Sequence, residues 1–174
     1  AALREAGRAD RAASAGFVLD SHAEPPPGRV LRPAGVLAAF IETRGTLSLV
    51  LPKRSSRLKH HPGQIAFPGG KQDDSDADVI AAALREAEEE VGLPRGQVDI
   101  LGTLPTHETV TGFLMTPVVG WIDRTFEVVP EPGEVAEVFR VPLAHVTNAP
   151  LFSVQSRRWR GTRRHYYTVP FGPY

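Results

Sequence analysis

The chain has 174 residues, 20 basic against 20 acidic side chains and 41% apolar residues, so it fits one globular domain with a single core and lacks the excess charge of a nucleic-acid binder. It has no cysteine, which excludes disulfides, thiolate metal sites and cysteine nucleophiles. No apolar run reaches the roughly 20 residues of a membrane span, and Arg4, Glu5, Arg8, Asp10 and Arg11 interrupt any signal-peptide pattern, so a cytoplasmic protein without membrane contact is expected.

Residues 3–15 mix alanines with charges and predict a helix, followed by an extended linker at Pro25-Pro26-Pro27-Gly28; residues 1–30 thus read as an N-terminal arm ahead of one domain over 31–174. The arm could support a homodimer. Two aliphatic, β-branched runs, Gly35 to Ile41 and Thr46 to Leu51, flank Gly45 as a hairpin would. Lys53 to Gly70 is rich in charge, proline and glycine and reads as a functional loop. From Asp76 to Val91 a helix is expected, with Ile80, Leu84, Ala87 and Val91 as its buried stripe, Asp76 or Asp78 as its cap, and Gly92 and Pro94 as its end. Strands are expected at Val98 to Leu104, Met115 to Ile122 and Phe126 to Val129, a helical turn at Pro142 to Val146, and a last hairpin around Gly161-Thr162.

The chemistry concentrates on that helix. At about 100° per residue, with Ile80 at zero, Glu89, Glu86 and Glu90 fall near 180°, 240° and 280°, an arc shared with Val79, Ala82 and Ala83. Like charges one turn apart destabilise a helix by a few tenths of a kcal/mol per pair unless a cation neutralises them. Carboxylate oxygens suit Mg²⁺ or Mn²⁺, whereas zinc prefers histidine or cysteine. Taken alone, Glu88-Glu89-Glu90 fits a solvated face, and Glu88 turns away from the arc.

The surroundings change that weighing. A glycine pair, an acidic loop and then Arg85-Glu86-Ala87-Glu88-Glu89-Glu90-Val91-Gly92-Leu93 resemble the Nudix box, G-x5-E-x7-R-E-U-x-E-E-x-G-U with U aliphatic. Asp76 stands where the box has its first glutamate, eight residues rather than seven separate it from Arg85, and Ala87 occupies a position usually larger. The resemblance implies an α/β (α+β) Nudix fold, a mixed sheet packed between helices, and a pyrophosphohydrolase dependent on Mg²⁺ or Mn²⁺. Glu86 and Glu90 are the first candidate ligands, Glu89 is either a third ligand or the general base, and a backbone carbonyl at Gly69 or Gly70 is the candidate to complete the shell. The arginine at the position of Arg85 orients the box glutamates in that family. Some members take the base from a late loop, which makes Glu134 and Glu137 alternatives.

Leu51 to Gly70, containing Arg54-Ser55-Ser56-Arg57-Leu58-Lys59-His60-His61-Pro62-Gly63-Gln64 and Phe67-Pro68-Gly69-Gly70, is similar to the extended signature of the coenzyme A pyrophosphatase subgroup. Glu134 to Phe139 with Val141-Pro142-Leu143 also looks like that subgroup. The substrate implied is coenzyme A, or its acyl esters, cleaved to 3′,5′-ADP and 4′-phosphopantetheine. Arg54, Arg57 and Lys59 would supply charge-assisted donors, and Ser55, His61, Gln64 and Phe67 further contacts. His60 and His61 equally fit a role in shaping the loop. Two rival readings share much of this sequence: a Nudix enzyme for ADP-ribose or another nucleoside diphosphate derivative, and a non-catalytic module of the same fold. Members of the subgroup continue past a segment like Tyr166 to Tyr174 into a last helix, so a further C-terminal part is expected.

Overall fold

The computed structural model describes residues 14–15, 28–159 and 161–174. The expected N-terminal helix and the three prolines lie outside these residues, except that Ser14–Ala15 (β1) is extended and not helical. Its backbone pairs in parallel with a later two-residue strand, so neighbouring chain and not local propensity decides its conformation.

Arg32–Thr43 (β2) and Thr46–Arg54 (β3) form the expected hairpin across Arg44-Gly45, both at positive φ as a two-residue turn between twisted strands requires. Gly69–Lys71 (β4) takes the rest of that edge of β2 by pairing with Ala34 to Val36. Val98–Thr103 (β5) and His107–Glu108 (β6) both line one edge of Phe113–Ile122 (β7), whose other edge runs parallel to β2 from Arg32 to Ile41. Val135–Pro142 (β8) closes the far side against β3, with a bulge between Lys53 and Arg54. The result is a mixed sheet in the order β1-β6-β7-β2-β3-β8. Ser153–Trp159 (β9) and Thr162–Thr168 (β10) form a separate hairpin, as expected.

The long helix runs Val79–Val91 (α1), and a four-residue helix, Leu143–Val146 (α2), follows β8. Among the described residues no helix is long and apolar enough to cross a membrane. Asp78, not Asp76, caps α1 by accepting from the Ala81 amide at 2.8 Å, and Gly92 ends it at φ 74°. Leu37, Ala39, Ile41, Val50, Val118 and Ile122 from the sheet meet Ala83, Ala87, Val91 and Leu93 to form the core.

The helix sits rotated from the expected stripe. Ala82, Ala83, Ala87, Glu90 and Val91 are buried, while Ile80 and Leu84 pack at the margin. Small alanines let the helix approach the sheet most closely on their own side: Ala83 faces Gly35 so tightly that a Cβ at Gly35 would lie 3.1 Å from its methyl and inside contact with the Val79 carbonyl. One strand expectation is corrected. Phe126 to Val129 is irregular, because its backbone serves the end of α1: the Val129 and Glu131 amides donate to the carbonyls of Val91 and Glu90 at 3.1 Å each. Conversely, Val135–Pro142, where no strand was expected, forms a full strand, β8.

Candidate active site

The rotation of α1 brings Glu90 under cover. Its residue is only 6% exposed, the Gly69 amide donates to its Oε2 at 3.3 Å, and Arg54 Nη1 stands 3.6 Å from its Oε1. Burial, then the charge of Glu86, pushes its carboxyl up to about 7, despite the Gly69 amide and Arg54 acting the other way. Glu86 is half-buried one turn earlier, and burial raises its pKa too, against the pull of Arg85. Gly70 makes room for it: any Cβ on Gly70 would collide with the Glu86 carboxylate. The glycine pair therefore belongs to a strand, β4, whose backbone lies against both carboxylates.

Arg85 organises the acidic side. Its Nε and Nη2 donate to the nearly buried Asp76 carboxylate at 3.1 and 3.0 Å, its Nη2 also donates to the Lys71 carbonyl at 3.1 Å, and its Nη1 reaches Glu86 at 2.9 Å and Glu89 at 3.1 Å. The hydrogen bonds from Arg85, and then the Asp73 amide, hold Asp76 below the usual carboxylate range. Asp76 thus anchors the arginine that fixes two glutamates. Glu89 is half-exposed, and Glu88 faces away to pair with Arg95 at 2.7 Å.

The two late glutamates part company. Glu134 lies in the loop before β8; its carbonyl accepts from the Ser55 amide at 2.7 Å, and its charge reaches Glu90. Glu137 instead pairs with Lys53 at 2.9 Å and accepts from the Tyr174 hydroxyl at 2.8 Å, while Tyr174 stacks on Phe139 at 4.0 Å. Val50 and Val138 pack toward α1, so by strand alternation Lys53, Glu137 and Phe139 face the opposite side of the sheet. Glu137 is not brought together with Glu86, Glu89 and Glu90.

In the basic loop Arg54 alone among the cations pairs with a carboxylate of α1; its Nε is buried and carries no hydrogen bond. Ser55 Oγ accepts from the Arg57 amide at 3.3 Å, and Arg57, Lys59, His60 and Phe67 are exposed. His61, at φ 53°, hydrogen-bonds Gln64 at 2.9 Å, and both line a cavity of about 850 Å³ between the loop and the β9–β10 hairpin. Sequence reasoning missed the hairpin's share of this cavity, Arg157, Tyr166 and Tyr167; cations beside aromatic residues were the signal available.

The donor set suits a divalent cation. Among the described residues no three carboxylates or imidazoles enclose an ion unaided. Yet Mg²⁺ keeps several waters and takes substrate oxygens, so two carboxylates and a backbone carbonyl are enough. Glu86 and Glu90, both raised first by burial beside a glycine backbone and Glu90 then by the charge of Glu86, could hold Mg²⁺ or Mn²⁺.

A mixed sheet carrying one acidic helix with this glycine approach is the arrangement of a Nudix domain, and the chain belongs to the Nudix family, whose NUDIX domain profile matches residues 31–164. Among curated relatives it is 50% identical over 113 residues to the uncharacterized Nudix hydrolases NudL of Cronobacter sakazakii and Citrobacter koseri. Each match spans 65% of this chain and 58% of the relative's length. Its fold is similar to that of RenU, a Nudix hydrolase from M. smegmatis (TM-score 0.57, 24% identity, 71% of this chain and 84% of that one). It is similar also to the NUDIX domain of Shewanella oneidensis NrtR complexed with ADP ribose (TM-score 0.54, 18% identity, 75% and 84%).

Proposed function

We propose that the chain hydrolyses the diphosphate bond of coenzyme A, and of its acyl esters, to 3′,5′-ADP and 4′-phosphopantetheine, using Mg²⁺ or Mn²⁺ held by Glu86, Glu90 and the carbonyl of Gly70. The observation that carries it is the Arg54–Glu90 contact at 3.6 Å, which puts the first residue of the coenzyme A signature against the box carboxylates. Arg54 keeps a buried, unused Nε donor there, the feature an anionic oxygen would satisfy.

When bound, the cation neutralises charge developing on the diphosphate and acidifies a water. Glu89 takes the proton of the attacking water as the oxygen bonds to phosphorus and the bridging P–O bond breaks. Its half-exposed carboxylate, steadied by Arg85, can exchange that proton with solvent. Arg85, locked on Asp76, holds Glu86 and Glu89 in place. Glu134 is the alternative base. Arg57, Lys59, Ser55, His61, Gln64 and Phe67 contact the substrate beyond its diphosphate. A second reading, hydrolysis of ADP-ribose or a dinucleotide polyphosphate, uses the same carboxylates. The deciding experiment incubates the protein and Mg²⁺ with coenzyme A, acetyl-coenzyme A, ADP-ribose and a dinucleotide polyphosphate and follows product formation. Turnover of coenzyme A is expected; ADP-ribose cleaved with coenzyme A untouched overturns the substrate assignment.

A further inference from the structure

The cavity between the basic loop and the β9–β10 hairpin is not used by the chemistry at α1. Its volume, about 850 Å³, lies in the roughly 300–1,000 Å³ range of small-molecule sites. Lys59, His61 and Gln64 line one side, and Arg157, Tyr166 and Tyr167 the other. By register and alternation Arg157 and Tyr166 share one face of the hairpin, so two cations, neutral hydrogen-bonding groups and the Tyr166 ring in one hollow suit a phosphorylated aromatic ligand. An arginine and a lysine bind phosphate oxygens through charge-assisted hydrogen bonds, and a tyrosine face stacks on a base whatever its identity.

The cavity also adjoins the carboxylates. The Gln64 carbonyl accepts from the Arg54 amide at 2.8 Å, and Ile65 bridges to Lys53, so the wall of the cavity is laced to β3 one residue from the guanidinium that meets Glu90. Tyr166 is 43% exposed, although it belongs to a regular strand.

We propose that this cavity is a nucleoside phosphomonoester subsite: Tyr166 receives a nucleobase, and Lys59 with Arg157 receives a phosphate separate from the diphosphate cut at α1. The proposal deepens, and rests on, the reading of the chain as a hydrolase of a nucleotide diphosphate. It makes the hairpin, together with the loop, the element that discriminates a 3′-phosphorylated substrate from its dephosphorylated counterpart.

Two measurements on the full chain test it. The first compares kcat/KM for coenzyme A and 3′-dephospho-coenzyme A in the parent, Arg157→Ala and Lys59→Ala. Each variant is expected to lower the ratio of the two by about tenfold, the size of one charge-assisted contact. The two residues lie on separate segments, so misfolding of one variant leaves the other to decide. An unchanged ratio in both overturns the proposal. The second measures binding of adenosine 3′,5′-bisphosphate and adenosine 5′-monophosphate by calorimetry without metal. Preference for the bisphosphate, weakened by Arg157→Ala, supports the subsite even if coenzyme A is not cleaved, in which case only the substrate assignment falls. Equal binding of the two nucleotides, or a preference that Arg157→Ala leaves intact, rejects the subsite even where coenzyme A is turned over.

Discussion

Glu90 carries two opposed demands. Its burial and the neighbouring Glu86 raise its pKa to about 7, above the 4.5 of an unfolded glutamate, so the metal-free fold prefers it protonated. Stability from this group is therefore fully present below pH 4.5 and is lost as pH rises toward about 7, to an extent on the order of 1–3 kcal/mol. Glu90→Gln keeps an acceptor for the Gly69 amide and removes the charge. In metal-free protein at pH 8 the variant is expected to unfold at higher denaturant concentration than the parent, yet to lose at least about a hundredfold in kcat. A variant with near-normal turnover would mean the carboxylate cluster is misassigned. Arg85 shows a related compromise: it already serves Glu86 and Glu89 from within, so the proposed cation would share the Glu86 carboxylate with a resident charge.

At the scale of elements, the close approach of α1 to β2 is set by Gly35. A methyl there meets the Val79 carbonyl and the Ala83 side chain, so the helix must shift away from the sheet. Gly35→Ala is expected to cost about 2–3 kcal/mol, as overpacking in a tight core does, and to lower kcat more than it raises KM because the shifted helix carries Glu86 and Glu90. Denaturant titration and steady-state kinetics check this; a fully stable variant would mean the contact relaxes at no cost. Gly35 was not legible in the sequence, since only the third dimension pairs it with Ala83. The helix limits, both hairpins and the acidic arc were legible, because periodicity, caps and turn residues are local signals. Missed were β8 and the irregular path of residues 126–129: one is fixed by pairing with β3, the other by carbonyls at the end of α1. Within the site, the Arg85–Asp76 anchor escaped notice because its partner lies nine residues away, across the turn before the helix.

For the molecule as a whole, a ligand that binds only the folded state raises its midpoint by mass action. Mg²⁺ at pH 8 is expected to raise the thermal midpoint by a few degrees, and a chelator to reverse this; the effect should vanish in Glu90→Gln. An equal rise in that variant would place the ion elsewhere.

The Arg54–Glu90 contact has one more consequence. With 20 charges of each sign the molecule has no net monopole, so little acts on an approaching anion beyond a Debye length of about 8 Å. Inside that distance the field is steep: cationic at the loop, anionic along the last turns of α1, where the helix dipole is itself negative and the last turn holds no basic residue of its own. On the proposed reading, a dianionic diphosphate would meet attraction and repulsion within one side chain of each other. It would settle in the orientation that gives its charge to Arg54 and, through the proposed cation, to Glu86 and Glu90. The boundary between opposite potentials would then act as an orienting device, selecting how the proposed substrate lies and leaving its rate of arrival to diffusion.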